Sequence, residues 1–184
     1  MELNNLRYAG IAYDDVVNGE GLGAVFFTQY CPHKCKHCQN PSTWSKDGGL
    51  EFDISVVDEL MAYYRNTPFA TRLTISGGEP LTEFSADIVF YLIHRFKAEF
   101  PDKKIWLYTG HYFEYLLYAK DISQYVLDKE IMMIMDVLRC CDVIVDGRYD
   151  YTRRDVTLAW CGSSNQRVID VQKSLEADEV VLYE

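Results

Sequence analysis

Three cysteines fall within eight residues, Cys31-Pro32-His33-Lys34-Cys35-Lys36-His37-Cys38, and this C-x3-C-x2-C loop constrains the chain more than any other stretch. The apolar run 23–30 just before it reads as a buried β-strand. The loop therefore hangs from a strand end, where open α/β sheets and barrels keep their chemistry. A [4Fe–4S] cluster normally takes four cysteine ligands. Three thiolates leave one coordination position open, and an open position marks a catalytic centre rather than a structural one. The bland alternative is a zinc loop with His33 or His37 as fourth ligand. Such zinc sites usually join two separated ligand pairs, and all the candidates here crowd into one loop.

The rest of the chain alternates strand-like and helix-like runs. Apolar spacing predicts helices over 54–65 and 85–100, the latter stopped by Pro101. Residues 112–120 and 122–138 also read as helical, in two pieces. Short strands are predicted at 71–75, 104–109, 142–145 and 168–171. Residues 1–13 read as a loose lead-in and 14–23 as a glycine-punctuated turn. The tail 174–184 reads as an acidic segment that docks late or frays.

Alternation of this kind predicts an α/β fold with a parallel sheet and helical crossovers. The 184 residues are too few for a closed eight-stranded barrel, which takes roughly 250. The expectation is one domain over 1–184, a partial barrel of five or six mainly parallel strands, open on one side. With 28 acidic against 18 basic residues the net charge is -10, which argues against nucleic acid or an anionic membrane as partner. The chain shows neither a signal-peptide pattern nor an apolar run long enough to span a bilayer, so a cytoplasmic location is expected. In that reducing setting clustered cysteines point to metal or chemistry rather than disulfides. Cys140, Cys141 and Cys161 read as inert small hydrophobes.

The second signal is Ser76-Gly77-Gly78-Glu79-Pro80 at the end of the predicted strand 71–75. Its glycines let the backbone lie against a ligand, and Glu79 could accept from an ammonium group. Alone, this is an ordinary strand-to-helix turn. Together with the cysteine loop it resembles the radical S-adenosylmethionine superfamily. Further blocks occur in order: Asn40-Pro41-Ser42-Thr43-Trp44, Trp106-Leu107-Tyr108-Thr109-Gly110, Asp142-Val143-Ile144-Val145-Asp146-Gly147 and Gly162-Ser163-Ser164-Asn165-Gln166. With these, the stretch from about Asp14 to Ile169 is similar to the activating proteins of anaerobic (class III) ribonucleoside-triphosphate reductase.

The resemblance implies a radical enzyme with a [4Fe–4S] cluster on Cys31, Cys35 and Cys38. The open iron would chelate the amino and carboxylate groups of S-adenosylmethionine. An electron from a low-potential donor would cleave the cofactor to methionine and a 5′-deoxyadenosyl radical. That radical would take hydrogen from a glycine in the C-terminal loop of the partner reductase. The implied cofactor residues are Gly77, Gly78 and Glu79, with His37, Thr109, Asp146, Ser163 and Asn165 as further candidates. The chain departs from the family at Gly19-Glu20-Gly21-Leu22-Gly23, where G-P-G-x-R is common, and at Cys161, where arginine is common. Activation of another glycyl-radical enzyme, such as pyruvate formate-lyase, is the neighbouring expectation. A non-catalytic zinc or iron–sulfur module is the expectation from a different class.

Overall fold

In the computed structural model, residues 6–123 and 129–184 are described. Seven strands form one sheet in the order β3-β1-β2-β4-β5-β6-β7. The centre is parallel: β2 (Gly23–Thr28), β4 (Arg72–Gly77), β5 (Lys104–Tyr108) and β6 (Val143–Asp146). Three crossovers join them in sequence: α1 (Ile54–Asn66), α2 (Ala86–Glu99) and the pair α3 (Phe113–Ser123) and α4 (Lys129–Cys140). Part of the predicted helix 122–138 falls at 124–128, outside the described residues.

The sheet is mainly parallel at its centre, as expected, but has seven strands rather than five or six, and its edges are antiparallel. β1 (Arg7–Asp15) pairs antiparallel with β2, β3 (Leu50–Glu51) pairs antiparallel with β1, and β7 (Arg167–Asp170) pairs antiparallel with β6. From residue 7 the expected loose lead-in is thus a strand. Gly10 interrupts its pattern and its alanines are weak strand formers, so pairing with β2, not propensity, decides its state. The tail does not fray either. After α5 (Val171–Ala177) the chain turns at Asp178, with φ 58°, and returns to the sheet: Asp170 N–H donates to the Val181 carbonyl at 2.9 Å and Tyr183 N–H to Val168 at 3.0 Å. β3 and β7 lie at opposite ends of the strand order, so the sheet is open.

Strand alternation separates the two faces. Ala24, Phe26, Leu73, Ile75, Ile105, Leu107 and Ile144 pack with the apolar stripes of α1, α2 and α4 in one core. Trp106, Val143 and Val145 point the other way and meet Trp160, Cys161 and Tyr183. The helices therefore cover one face, and the other is left to the long segment 147–166. Tyr64 pins α1 to the sheet: its buried hydroxyl accepts from Ala24 N–H at 3.0 Å and donates to the Arg72 carbonyl. Gly23 lies so close to β4 that a Cβ would fall 2.1 Å from the Arg72 oxygen, which excludes any side chain there. Among the described residues no helix is long and apolar enough to cross a membrane.

Candidate functional site

The parallel register brings four strand ends to one rim. Thr28 pairs with Gly77, Ile75 with Leu107 and Tyr108 with Val145, so the segments after these strands converge. They enclose a cavity of about 410 Å³, lined by Cys31, Cys35, Cys38, Gly77, Gly78, Glu79, Thr109 and Gly147 among others. That is the size of a small-molecule cofactor site.

The cysteine loop is wound by left-handed backbone at Lys34 (φ 46°) and His37 (φ 58°). All three thiols are half-buried and unbridged. Burial pushes the Cys31 and Cys35 thiols above their ordinary range, and the charge of Cys38 raises Cys35 further. Backbone N–H groups answer part of this: Asn40 donates to Cys38 Sγ at 3.3 Å, and the Tyr149 N–H acts on Cys35. Three thiolates together need positive charge from a bound centre. Among the described residues, His33, Glu79 and His111 place three potential ligand atoms within 4.8 Å of one another.

His33, the alternative fourth ligand, is engaged by Glu79 in this arrangement. Its Nε2 lies 2.8 Å from Glu79 Oε2, and its ring packs on His111 with centroids 4.9 Å apart. Glu79 is 1% exposed and is the hub of the site. Oε1 accepts from Thr109 Oγ1 at 2.8 Å and Leu81 N–H at 3.1 Å, and Oε2 also accepts from Gly110 N–H at 2.8 Å. Burial alone would raise this carboxyl. The His33 hydrogen bond, the nearby His111 and the Gly110 N–H outweigh it and hold the group below its usual range. The turn carrying Glu79 is zipped to the start of the cysteine loop, with Gly78 N–H on the Thr28 carbonyl at 2.9 Å and Glu79 N–H on Tyr30 at 2.8 Å. A Cβ at Gly78 would lie 2.3 Å from the Tyr30 oxygen, so only glycine fits.

The remaining candidates divide. Thr109 lines the cavity and serves Glu79. His37 is exposed on the outer side of the loop, its ring 4.8 Å from that of Tyr151. Asp146 is fully buried and its carboxylate is occupied: Arg167 donates to Oδ1 at 3.1 Å and Oδ2 at 2.5 Å, and Phe113 N–H donates to Oδ2 at 2.9 Å. Ser163 Oγ accepts from Asp150 N–H at 3.1 Å, and Asn165 Nδ2 donates to the Arg148 carbonyl at 2.8 Å. These two, with Gln166 on the Gly147 carbonyl at 3.0 Å, clamp the segment that follows β6. Sequence reading missed the His33–Glu79–His111 hub, Arg148 and Arg154 in the cavity wall, and Trp160. Trp160 also lines the cavity and adopts φ 62°, an uncommon conformation for a bulky residue. Cys141 is core filling, as expected. Cys161 instead lines the cavity, its thiol pushed up to about 11 by burial and by Asp146.

Arg167 also reaches Glu114 on α3, at 2.7 and 2.8 Å, and holds that carboxyl at about 2. A lowered folded-state pKa stabilises the fold above the usual value of 4.5 and loses that contribution as pH falls toward 2. Glu114 is largely exposed, so solvent leaves the pair worth about 0.5 kcal/mol. Glu114→Gln is expected to lower the melting temperature slightly at neutral pH. The gap to the parent should close between pH 4.5 and 2 in a series of thermal melts. A gap that stays constant with pH would show that Glu114 stabilises only by packing.

Comparison with known proteins places these features in context. A family model described as a 4Fe-4S single cluster domain matches residues 17–169. The anaerobic ribonucleoside-triphosphate reductase-activating protein of Vibrio cholerae is 39% identical over 153 residues, 83% of this chain and 90% of the relative. That of Enterobacteria phage T4 is 36% identical over 163 residues, covering 89% and 93%. That of Escherichia coli K12 is 33% identical over 155 residues, covering 84% and 92%.

Proposed function

The chain belongs to the family of anaerobic ribonucleoside-triphosphate reductase-activating proteins, and from that premise we infer that it is the radical-generating activase of such a reductase. The observation that carries the inference is the convergence of four strand-end segments on one cavity lined by Cys31, Cys35 and Cys38. Cys31, Cys35 and Cys38 would hold a [4Fe–4S] cluster. When bound, the cluster would supply the reducing chemistry for S-adenosylmethionine cleavage and so for generating a radical on a glycine of the reductase.

The chain's own residues orient and exclude. Gly77 and Gly78 let the backbone lie against the cofactor's amino-acid end. Glu79 is our choice of partner for its ammonium group. In this arrangement the seat on Oε2 is taken by His33. Thr109 and the Gly110 N–H keep Glu79 ionised and aimed. Trp160, Val156 and Leu158 contribute the apolar part of the cavity wall. We read the open sheet, with helices on one face and the site beyond the strand ends, as a partial radical S-adenosylmethionine barrel. Its open side admits a loop of a folded partner.

The test mixes the reconstituted, reduced protein with S-adenosylmethionine and the reductase. A glycyl-radical signal by electron paramagnetic resonance is expected. Cofactor cleavage without that signal would redirect the search to another glycyl-radical enzyme. Stoichiometric zinc without iron uptake would end the catalytic reading.

A further inference from the structure

The block Asn40-Pro41-Ser42-Thr43-Trp44 leaves the cysteine loop in one tight turn. Pro41 opens a short 3₁₀ helix, Pro41–Thr43, and the Thr43 N–H donates to the Asn40 carbonyl at 3.1 Å. Gln29, buried just past β2, clasps the turn: its Nε2 donates to the Ser42 carbonyl at 3.2 Å and the Ser45 carbonyl at 2.6 Å. The block is thus fixed against the sheet.

Thr43 reaches from this turn to the end of β4. It is 3% exposed, and its Oγ1 lies 2.8 Å from the Asn40 carbonyl oxygen and 3.2 Å from that of Gly77. A hydroxyl has one proton to donate. Asn40 is already served by the Thr43 N–H, so the proton can go to Gly77 without stranding the Asn40 carbonyl. The next N–H, that of Gly78, donates to the Thr28 carbonyl at 2.9 Å. Both polar ends of the Gly77–Gly78 peptide are therefore held, one by Thr43 and the other by β2. Gly77 has a φ of 97°, a conformation that suits glycine, and glycine has the most backbone freedom to lose. A side chain cannot stiffen this position, because a Cβ would lie 2.8 Å from that of Phe27. On its other side the turn meets the cysteine loop, where the Asn40 N–H donates to Cys38 Sγ at 3.3 Å.

We propose that Thr43 is a positioning residue for the cofactor seat: its hydroxyl fixes the plane of the Gly77–Gly78 peptide, which lines the cavity, and ties that plane to the Cys38 end of the cysteine loop. The proposal rests on the functional reading above, in which this peptide lies against the amino-acid end of S-adenosylmethionine. Thr43 does not line the cavity and acts through Gly77. Without its hydroxyl the peptide would have to be ordered at the moment of binding, and that ordering weakens affinity.

The experiment uses the cluster-loaded full chain, kept oxidised so that nothing turns over. Equilibrium dialysis gives the affinity for S-adenosylmethionine. Hydrogen exchange read by mass spectrometry, without cofactor, gives the opening of the Gly78 and Glu79 amides. Thr43→Val keeps the shape and removes the proton, whereas Thr43→Ser keeps the proton and removes a methyl group. Thr43→Val should bind the cofactor about three- to tenfold more weakly, the worth of one hydrogen bond, and its turn should exchange faster by a similar factor. Its iron content should match the parent. Thr43→Ser should stay within about twofold of the parent in both measurements. A role in packing alone predicts the reverse order, with Thr43→Val intact and Thr43→Ser impaired, and that order overturns the proposal. So does a Thr43→Val chain that loses its iron, since Thr43 would then serve the cluster loop rather than the seat. Should Thr43→Val fail to fold, Thr43→Ala set against Thr43→Ser isolates the same hydroxyl, and equal affinities overturn the proposal. A parent chain that binds no S-adenosylmethionine overturns the functional reading itself, while the exchange comparison still decides whether Thr43 fixes the turn.

Discussion

A Cys35→Ala chain is expected to fold and melt close to the parent, yet to retain far fewer than the roughly four irons per chain of a [4Fe–4S] cluster. Its cleavage of S-adenosylmethionine should fall more than about a hundredfold, beyond what the loss of an outer-shell partner costs a metal site. The two effects separate because Cys35 is only half-buried in a loop, so removing its sulfur opens no core cavity. Anaerobic reconstitution followed by iron and sulfide analysis reads the first effect. Release of 5′-deoxyadenosine under reducing conditions reads the second. Cys31→Ala and Cys38→Ala should behave alike. Cys140→Ala and Cys141→Ala should keep the iron. Cys161 is the decisive control, since its thiol lines the same cavity. A Cys35 variant with full iron beside a Cys161 variant with none would mean that the third ligand is Cys161.

Glu79→Gln is expected to damage stability and chemistry together. The carboxylate accepts four hydrogen bonds and is almost fully buried. An amide keeps one acceptor oxygen and turns an NH2 group toward two of the donors. Stranding buried donors costs about 1–3 kcal/mol each before relaxation, so a net loss of about 2–4 kcal/mol follows. For a chain of this size that is a drop of roughly 5–15 °C in melting temperature. Cofactor cleavage should be lost in the same variant. A melt within a degree of the parent would show that the carboxylate is not the hub its geometry describes. Retained cleavage would remove Glu79 from the proposed ammonium seat.

Both residues were legible in the sequence, for a physical reason. Ligands to one centre crowded into eight residues, and a Gly-Gly-Glu turn at a strand end, are local patterns that survive without coordinates. The central strands and helices were legible from apolar periodicity. The edges of the sheet were not, because β1 is half-buried and takes its state from β2. The roles of other site residues depend on distant partners. Asp146 is claimed by Arg167, 21 positions away, and by the backbone of Phe113, 33 positions away. Glu79 meets His33 across 46 positions. The outward placement of His37 follows from the winding of its loop, and no pattern of side-chain types encodes that.

The division of the sheet into a helical face and a face covered by an irregular segment has a consequence for how such proteins diversify. The cover of the sheet face opposite the helices comes largely from one uninterrupted stretch, residues 147–166, buckled at its two ends by the Gln166–Gly147 and Asn165–Arg148 bonds. The cluster loop and the Glu79 turn lie outside it. An exchange of these twenty contiguous residues between relatives would remake that cover while leaving the cluster loop and the Glu79 turn unchanged.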